Sequence, residues 1–158
     1  MDILSESVIA EFRDAVAGTF ETLAFSEVNE WSVLDAPPVL TGDLIGSSIG
    51  VKQPVKGSLG LFLDLAQCCE LVGNIYGIDA DPAEGKSPVI IDFMNELANT
   101  VAGRLAANLA EDSRKIRLDL PSPVDDPLQS LSAAQGGDRM VMQFMVDMRP
   151  GYCYLASH

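Results

Sequence analysis

Glu96 and Asn99 stand three residues apart in the stretch SPVIIDFMNELANTVAGRLAANL, residues 87–109, with Asp92 four before the first and Gly103 four after the second. If this stretch is helical, all four share one face. A carboxylate accepts hydrogen bonds or pairs with a cation, and a carboxamide both donates and accepts without titrating. Together they suit chemistry in which a water is held and a charged partner group is fixed. They do not suit a side chain that shuttles protons. Gly103 puts a missing side chain on the same face. A glycine inside a helix costs roughly 1 kcal/mol relative to alanine, and close approach of another backbone would offset that cost.

The helix that must carry these residues is well marked. Ser87 is placed to accept from backbone N–H groups as an N-cap, and Pro88 at the first helical position loses only an N–H that would be unpaired anyway. Ile90, Phe93, Met94, Leu97, Val101 and Leu105 recur at spacings of three and four and predict the buried face. The pattern occurs a second time. Glu11-Phe-Arg-Asp14-Ala-Val-Ala-Gly18 aligns without a gap on Glu96-Leu-Ala-Asn99-Thr-Val-Ala-Gly103, four of eight residues being identical. Phe12 stands against Leu97 and Asp14 against Asn99. Residues 5–24 read as the helix of this copy, with Ser5 as N-cap and Val8, Phe12, Val16, Phe20 and Leu23 as its buried stripe. Two amphipathic helices, each followed by strand-like sequence, point to an internal duplication: repeats of about 1–77 and 87–158 within a single domain, 1–158.

The remaining elements are read from alternation and breakers. Residues 25–34, around Trp31, read as a short strand, ended by Ala36-Pro37-Pro38. Residues 44–52 and 58–63 read as paired strands about Gln53-Pro54-Val55-Lys56-Gly57, with Leu59, Leu61 and Leu63 on one face. The glycines Gly42, Gly46, Gly50, Gly57 and Gly60 suggest bends or close approaches. Residues 65–76 predict a short helix closed by Gly77, and residues 78–86 a polar connector. In the second half, Ile116, Leu118 and Leu120 alternate like a strand, and residues 121–137 read as a long loop. Residues 139–148 and 152–156 read as a second hairpin about Arg149-Pro150-Gly151. Met140, Met142, Met145 and Met148 read as sheet core or a self-association face. Helix, strand and hairpin in each half give an α+β domain, with two long helices on one face of a mostly antiparallel sheet.

Composition excludes several function classes. At 158 residues and 47% hydrophobic content the chain is long and apolar enough to bury a real core. A net charge of −13 argues against a nucleic-acid backbone or an anionic membrane as partner. No basic n-region opens the chain and no apolar run approaches about 18 residues, so a cytoplasmic location is expected. Cys68, Cys69 and Cys153 read as reduced, buried thiols. The only histidine is the terminal His158, which argues against a catalytic histidine, a histidine zinc site and a Ser–His–Asp triad. Ser7, Ser47 and Ser48 have no base to activate them. No GxxxxGK phosphate loop is present. Asp79/Asp81 and Asp125/Asp126 lack a glycine-containing calcium repeat and read as solvated loop acids.

The segment Asp92-Phe-Met-Asn-Glu96-Leu-Ala-Asn99-Thr-Val-Ala-Gly103 resembles the signature helix of the CheC/CheX/FliY phosphatases of bacterial chemotaxis, whose motif is Glu-x-x-Asn and then, four residues later, Gly. The resemblance is residue-specific over about residues 90–103 and extends to the layout of most of the chain. It implies a duplicated CheC-like fold. CheC-like members carry the motif on both helices and CheX-like members on the second only. With Glu11-x-x-Asp14 on the first helix and Glu96-x-x-Asn99 on the second, this chain resembles CheX. The implied activity is hydrolysis of the aspartyl-phosphate of a CheY-like response regulator, in chemotaxis or related two-component signalling. Asn99 would orient the attacking water and Glu96 would pair with the regulator's active-site lysine. Asp92, Asn95 and Gly103 would contribute to partner binding. Glu11, Asp14 and Gly18 would be a degenerate second site, because an aspartate offers no amide N–H and would repel phosphoryl oxygens. The chain would hold no metal, the Mg²⁺ coming with the regulator. The resemblance also implies a homodimer formed by extending the sheet, for which the edges of either hairpin are available. The alternative function is a CheX-like module that docks a regulator or a flagellar-switch component without turning it over.

Overall fold

A computed structural model describes residues 1–40, 42–85, 87–132 and 138–158. In chain order the elements are α1 (Glu6–Leu23), β1 (Val28–Val33), β2 (Leu44–Gln53), β3 (Gly57–Asp64), α2 (Leu65–Tyr76), α3 (Pro88–Leu109), β4 (Arg117–Leu118), β5 (Ser122–Pro123), α4 (Pro127–Ser132), β6 (Arg139–Val146) and β7 (Arg149–Ser157), with single 3₁₀ turns at Pro82–Glu84 and Ser113–Lys115. The fold is α+β. Among the described residues, seven strands form one sheet in the order β1-β6-β7-β3-β2-β4, with β5 also on β2, and every pairing is antiparallel. Exchanging the halves turns β1 into β4, β6 into β2 and β7 into β3, and the order then reads the same from the opposite edge. That symmetry supports the duplication.

Helices α1, α2 and α3 form where the sequence places them, for local reasons. Ser5 Oγ accepts from Val8 N at 3.4 Å and caps α1. Asp64 Oδ1 accepts from the amides of Ala66 and Gln67 and caps α2, which Gly77 closes in the left-handed region at φ 67°. Ser87 occupies the N-cap position of α3, but its side chain makes no capping bond. Its carbonyl takes the amide of Ile91 at 3.1 Å instead. The expected stripe of α3 is buried throughout, from Ile90 to Leu105, and that of α1 is buried except at Leu23, which is half-buried.

Helices α1 and α3 pack against each other, α3 also lying on β2 and β3 and α1 on β1. Between them and the sheet sits the main core, which takes Leu59, Leu61 and Leu63 from one face of β3. The alternate residues of the sheet build a smaller apolar layer on the reverse face: Phe62, Val141, Tyr152 and Tyr154, covered by Leu131 of α4. Gly46 leaves room there for the ring of Phe62, and Gly60 for that of Tyr154. Of the four methionines in or beside β6, Met142 is buried in the core while Met148 is exposed. Cys68, Cys69 and Cys153 are free and buried, and burial pushes the Cys68 thiol up to about 12.

Four expectations are corrected. The second hairpin turns at Asp147-Met148, not at Arg149-Pro150-Gly151, which begin β7. Both turn residues have positive φ, 50° and 68°, the geometry of a two-residue hairpin loop that matches the strand twist. Asp147 is held by Ser26 Oγ at 2.8 Å. Pro150 is accommodated because the β3 pairing of β7 starts only at Tyr152. Within residues 121–137, read as loop, lie β5 and α4; residues 133–137 fall outside the described residues, as does Lys86 of the polar connector. The strand read at Ile116, Leu118 and Leu120 is reduced to Arg117–Leu118. Finally, neither hairpin leaves an open edge, because β1 covers β6 and both β4 and β5 cover β2. The outer strand β1 is interrupted by a bulge between Asn29 and Ser32, with Glu30 at φ 54°.

Candidate functional site

The exposed face of α3 is held outward by two polar ties, one on each flank. On a helix, Asn95 lies about 100° to one side of Glu96 and Arg104 about 80° to the other. On the first flank the buried Ser47 of β2 donates to Asn95 Oδ1 at 2.6 Å and also lies 3.2 Å from the carbonyl oxygen of Ser122 in β5. On the second flank Arg104 Nη2 donates to Thr22 Oγ1 of α1 at 2.9 Å. Rotating α3 would break both. Between the ties, Asp92, Glu96 and Asn99 are exposed.

Glu96 and Asn99 stand one turn apart, about 4.5 Å along the axis, and point the same way. Thr100 Oγ1 donates to Glu96 Oε1 at 3.4 Å, a long bond that restrains the carboxylate weakly. Among the described residues no hydrogen bond engages the side chain of Asp92 or Asn99, so the donors and the acceptor of the Asn99 carboxamide are unengaged. Asn95 differs from its neighbours. It is half-buried, and its oxygen is engaged by Ser47. The structure therefore brings Asp92, Glu96, Asn99 and Gly103 onto one accessible face and turns Asn95 toward the sheet.

Gly103 borders this face, and a Cβ built on it would meet no atom within 4 Å. Nothing among the described residues requires a glycine there. On α1 the equivalent position is filled. A Cβ on Gly18 would lie 2.7 Å from Arg104 Nη1. Arg104 bonds Thr22, whose hydroxyl in turn donates to the Gly18 carbonyl at 2.8 Å. Asp14 is exposed and Glu11 half-buried. Asp14 lines a groove of about 650 Å³ between α1 and β1 with Ile9, Arg13, Trp31 and Met140. There the Arg13 guanidinium lies 5.5 Å from the Trp31 ring centre. This groove is distinct from the face of α3.

Three residues of this arrangement escape sequence reasoning. Ser47 carries no signal beyond being a polar residue in an apolar strand. Thr100 sits inside the motif but is not part of it. Arg104 has one signal: the repeat places it opposite Thr19, a mismatch just beyond the eight aligned residues. Among the described residues, no group of three or more His, Cys, Asp or Glu side chains is disposed to hold a metal ion. Asp81 and Asp126 accept instead from the amides of Ala83 and Gln129 in local turns. No described helix is long and apolar enough to cross a membrane.

Comparison with known proteins adds the family and the fold. The family model described as chemotaxis phosphatase CheX matches residues 45–145, a span that includes Glu96, Asn99 and Gly103 but not α1. No curated protein matches the chain. Among solved structures, a CheC-like superfamily protein from Shewanella sp. PV-4 has a TM-score of 0.73 at 19% identity, covering 97% of this chain and 98% of its own. The chemotaxis protein CheX from Vibrio vulnificus has a TM-score of 0.73 at 18% identity, covering 95% and 98%. A chain of the CheX-CheY-BeF3-Mg²⁺ complex from Borrelia burgdorferi has a TM-score of 0.71 at 15% identity, covering 94% and 96%. At such identities these structures establish a shared fold.

Proposed function

Because the chain belongs to the chemotaxis phosphatase CheX family, we propose that it hydrolyses the aspartyl-phosphate of a CheY-like response regulator through the exposed face of α3. The observation that carries this reading is Gly103. It is a helix-interior glycine with open space beside it, next to an unengaged Asn99, and its cost of roughly 1 kcal/mol has no compensation among the described residues. A backbone arriving from outside would supply that compensation. The relative captured with CheY, beryllofluoride and Mg²⁺ supports the choice of partner.

In this reading water attacks phosphorus in line, the bond to the aspartyl oxygen breaks, and inorganic phosphate and a free carboxylate result. Such a reaction asks little covalent chemistry of the protein and much positioning. The Asn99 carboxamide holds and aims the water. Glu96 pairs with the regulator's active-site lysine, which fixes the docking register and sets that aim. Mg²⁺ belongs to the phosphorylated regulator. With a net charge of −13 the chain does not attract an anionic phosphoryl group at long range, so short-range fit must drive the encounter. A homodimer built by sheet extension would use β1 or the β4–β5 margin, the two edges the described sheet leaves.

The test is phosphate release from a phosphorylated CheY-like regulator with Mg²⁺ present. The wild-type chain is expected to accelerate it. Asn99→Ala should remove the acceleration by about a hundredfold or more, the scale set by losing the aim of a reacting group, while keeping binding. Glu96→Ala should weaken both. Binding without acceleration by the wild type would make α3 a docking surface and reject the phosphatase reading.

A further inference from the structure

The two copies of the motif differ at the residue just past the glycine. After Gly18 comes Thr19, which is buried and donates to its own helix at the Ala15 carbonyl, 2.7 Å away. After Gly103 comes Arg104, which reaches across to α1. Its guanidinium lies on the bare backbone at Gly18 and bonds Thr22, one turn further along the same face. That face of α1 is the counterpart of the one on which α3 displays Glu96, Asn99 and Gly103. The long side chain thus runs one way only. It fills the notch at Gly18, and nothing runs back to fill the notch at Gly103.

We infer that Arg104 closes the α1 copy of the site, so that each chain engages a regulator through α3 alone. This inference rests on the phosphatase reading above. Asp14 removes the water-orienting carboxamide from α1, but charge alone does not keep a partner's backbone away from Gly18. Arg104 does so sterically, by occupying the space a docking loop would need.

The experiment uses a background in which α3 is silent. In Asn99→Ala, any turnover regained must come from α1. Adding Asp14→Asn is expected to leave the protein silent, and adding Arg104→Ala as well is expected to restore phosphate release above that of Asn99→Ala. Turnover already restored by Asn99→Ala/Asp14→Asn would show that Arg104 closes nothing. So would a triple variant that keeps its circular dichroism spectrum and stays silent; Arg104→Gln provides a second triple variant if the first does not fold. A double-mutant cycle tests the steric part without any regulator. Gly18→Ala is expected to raise the Tm more in Arg104→Ala protein than in protein that keeps Arg104. Equal shifts in the two backgrounds would overturn the inference. If the wild type fails to accelerate phosphate release, the phosphatase reading falls by itself, and the cycle still decides whether Arg104 covers Gly18.

Discussion

In α1, Phe12 and Val16 are fully buried, and so are Leu97 and Val101, their counterparts in α3. On the outward side the same two helices have parted. α3 shows an exposed carboxamide at Asn99 and an open notch at Gly103. α1 shows an exposed carboxylate at Asp14 and a notch filled by Arg104. Burial against a common sheet constrains the inner half of a helix whatever its task, because every lost methylene there costs stability. Only contact with something outside the chain constrains the outer half. The comparison therefore separates residues that build the fold from outward residues that packing among the described residues does not fix, and Gly103 falls in the second group.

The largest expected effect tests the shared side. Phe12→Ala and Leu97→Ala should each lower stability by about 3 kcal/mol or more, as buried large-to-small changes do, measured by urea unfolding. If one were tolerated at less than about 1 kcal/mol, the two inner faces would not be equivalent. Next comes the tie that only α3 has. Ser47→Ala leaves the Asn95 oxygen without its donor and should cost about 1–3 kcal/mol. It should also raise the KM for the phosphorylated regulator more than it lowers kcat, because it loosens the rotation of α3 without touching Asn99. An unchanged KM would mean that the tie serves stability alone.

The glycines sharpen the contrast further. Gly103→Ala should stabilise the protein by up to about 1 kcal/mol and at the same time weaken regulator binding. Gly18→Ala should gain less, since its methyl displaces the Arg104 guanidinium and the bond to Thr22. Equal gains would remove the asymmetry on which the comparison depends. The smallest effect is the most specific. Asp14→Asn restores the motif on α1 but should leave phosphate release per chain unchanged, because Arg104 still covers Gly18.

Much of the fold is legible in the sequence. The periodicity of Ile90 to Leu105 defines the inner face of α3 and so, by subtraction, its outer face. Gly77 marks the end of α2, since the left-handed turn there favours a residue without a Cβ. The alternation at Leu59, Leu61 and Leu63 assigns one face of the sheet. The features that escape depend on neighbours distant in sequence. Arg149-Pro150-Gly151 has the composition of a turn, yet the chain turns two residues earlier, where Ser26 secures Asp147. Ser87 has the composition of a cap and makes no capping bond. The hairpin edges look free in the sequence because their covering strands, β1, β4 and β5, come from elsewhere in the chain. In the site, Glu96, Asn99 and Gly103 are legible through spacing and resemblance. Ser47 and Arg104 are not, because each acts on a partner in another element: Ser47 on Asn95 of α3, and Arg104 on Gly18 and Thr22 of α1.

The interleaved sheet order carries a consequence for how the molecule comes into being. Val28 in β1 pairs with Val146 in β6, and Leu118 in β4 pairs with Val51 in β2, so each half lends its leading strand to the hairpin of the other. Neither half can complete its own sheet, and a fragment ending before β6 would leave β1 with no partner. Such distant pairings demand that long loops close before any contact rewards them, which slows folding relative to a helical bundle of similar size. During synthesis α1 and β1 emerge before the β6–β7 hairpin and wait for it. For that interval the apolar stripe of α1 has no sheet to cover it, and the nascent chain depends on not meeting another copy in the same condition.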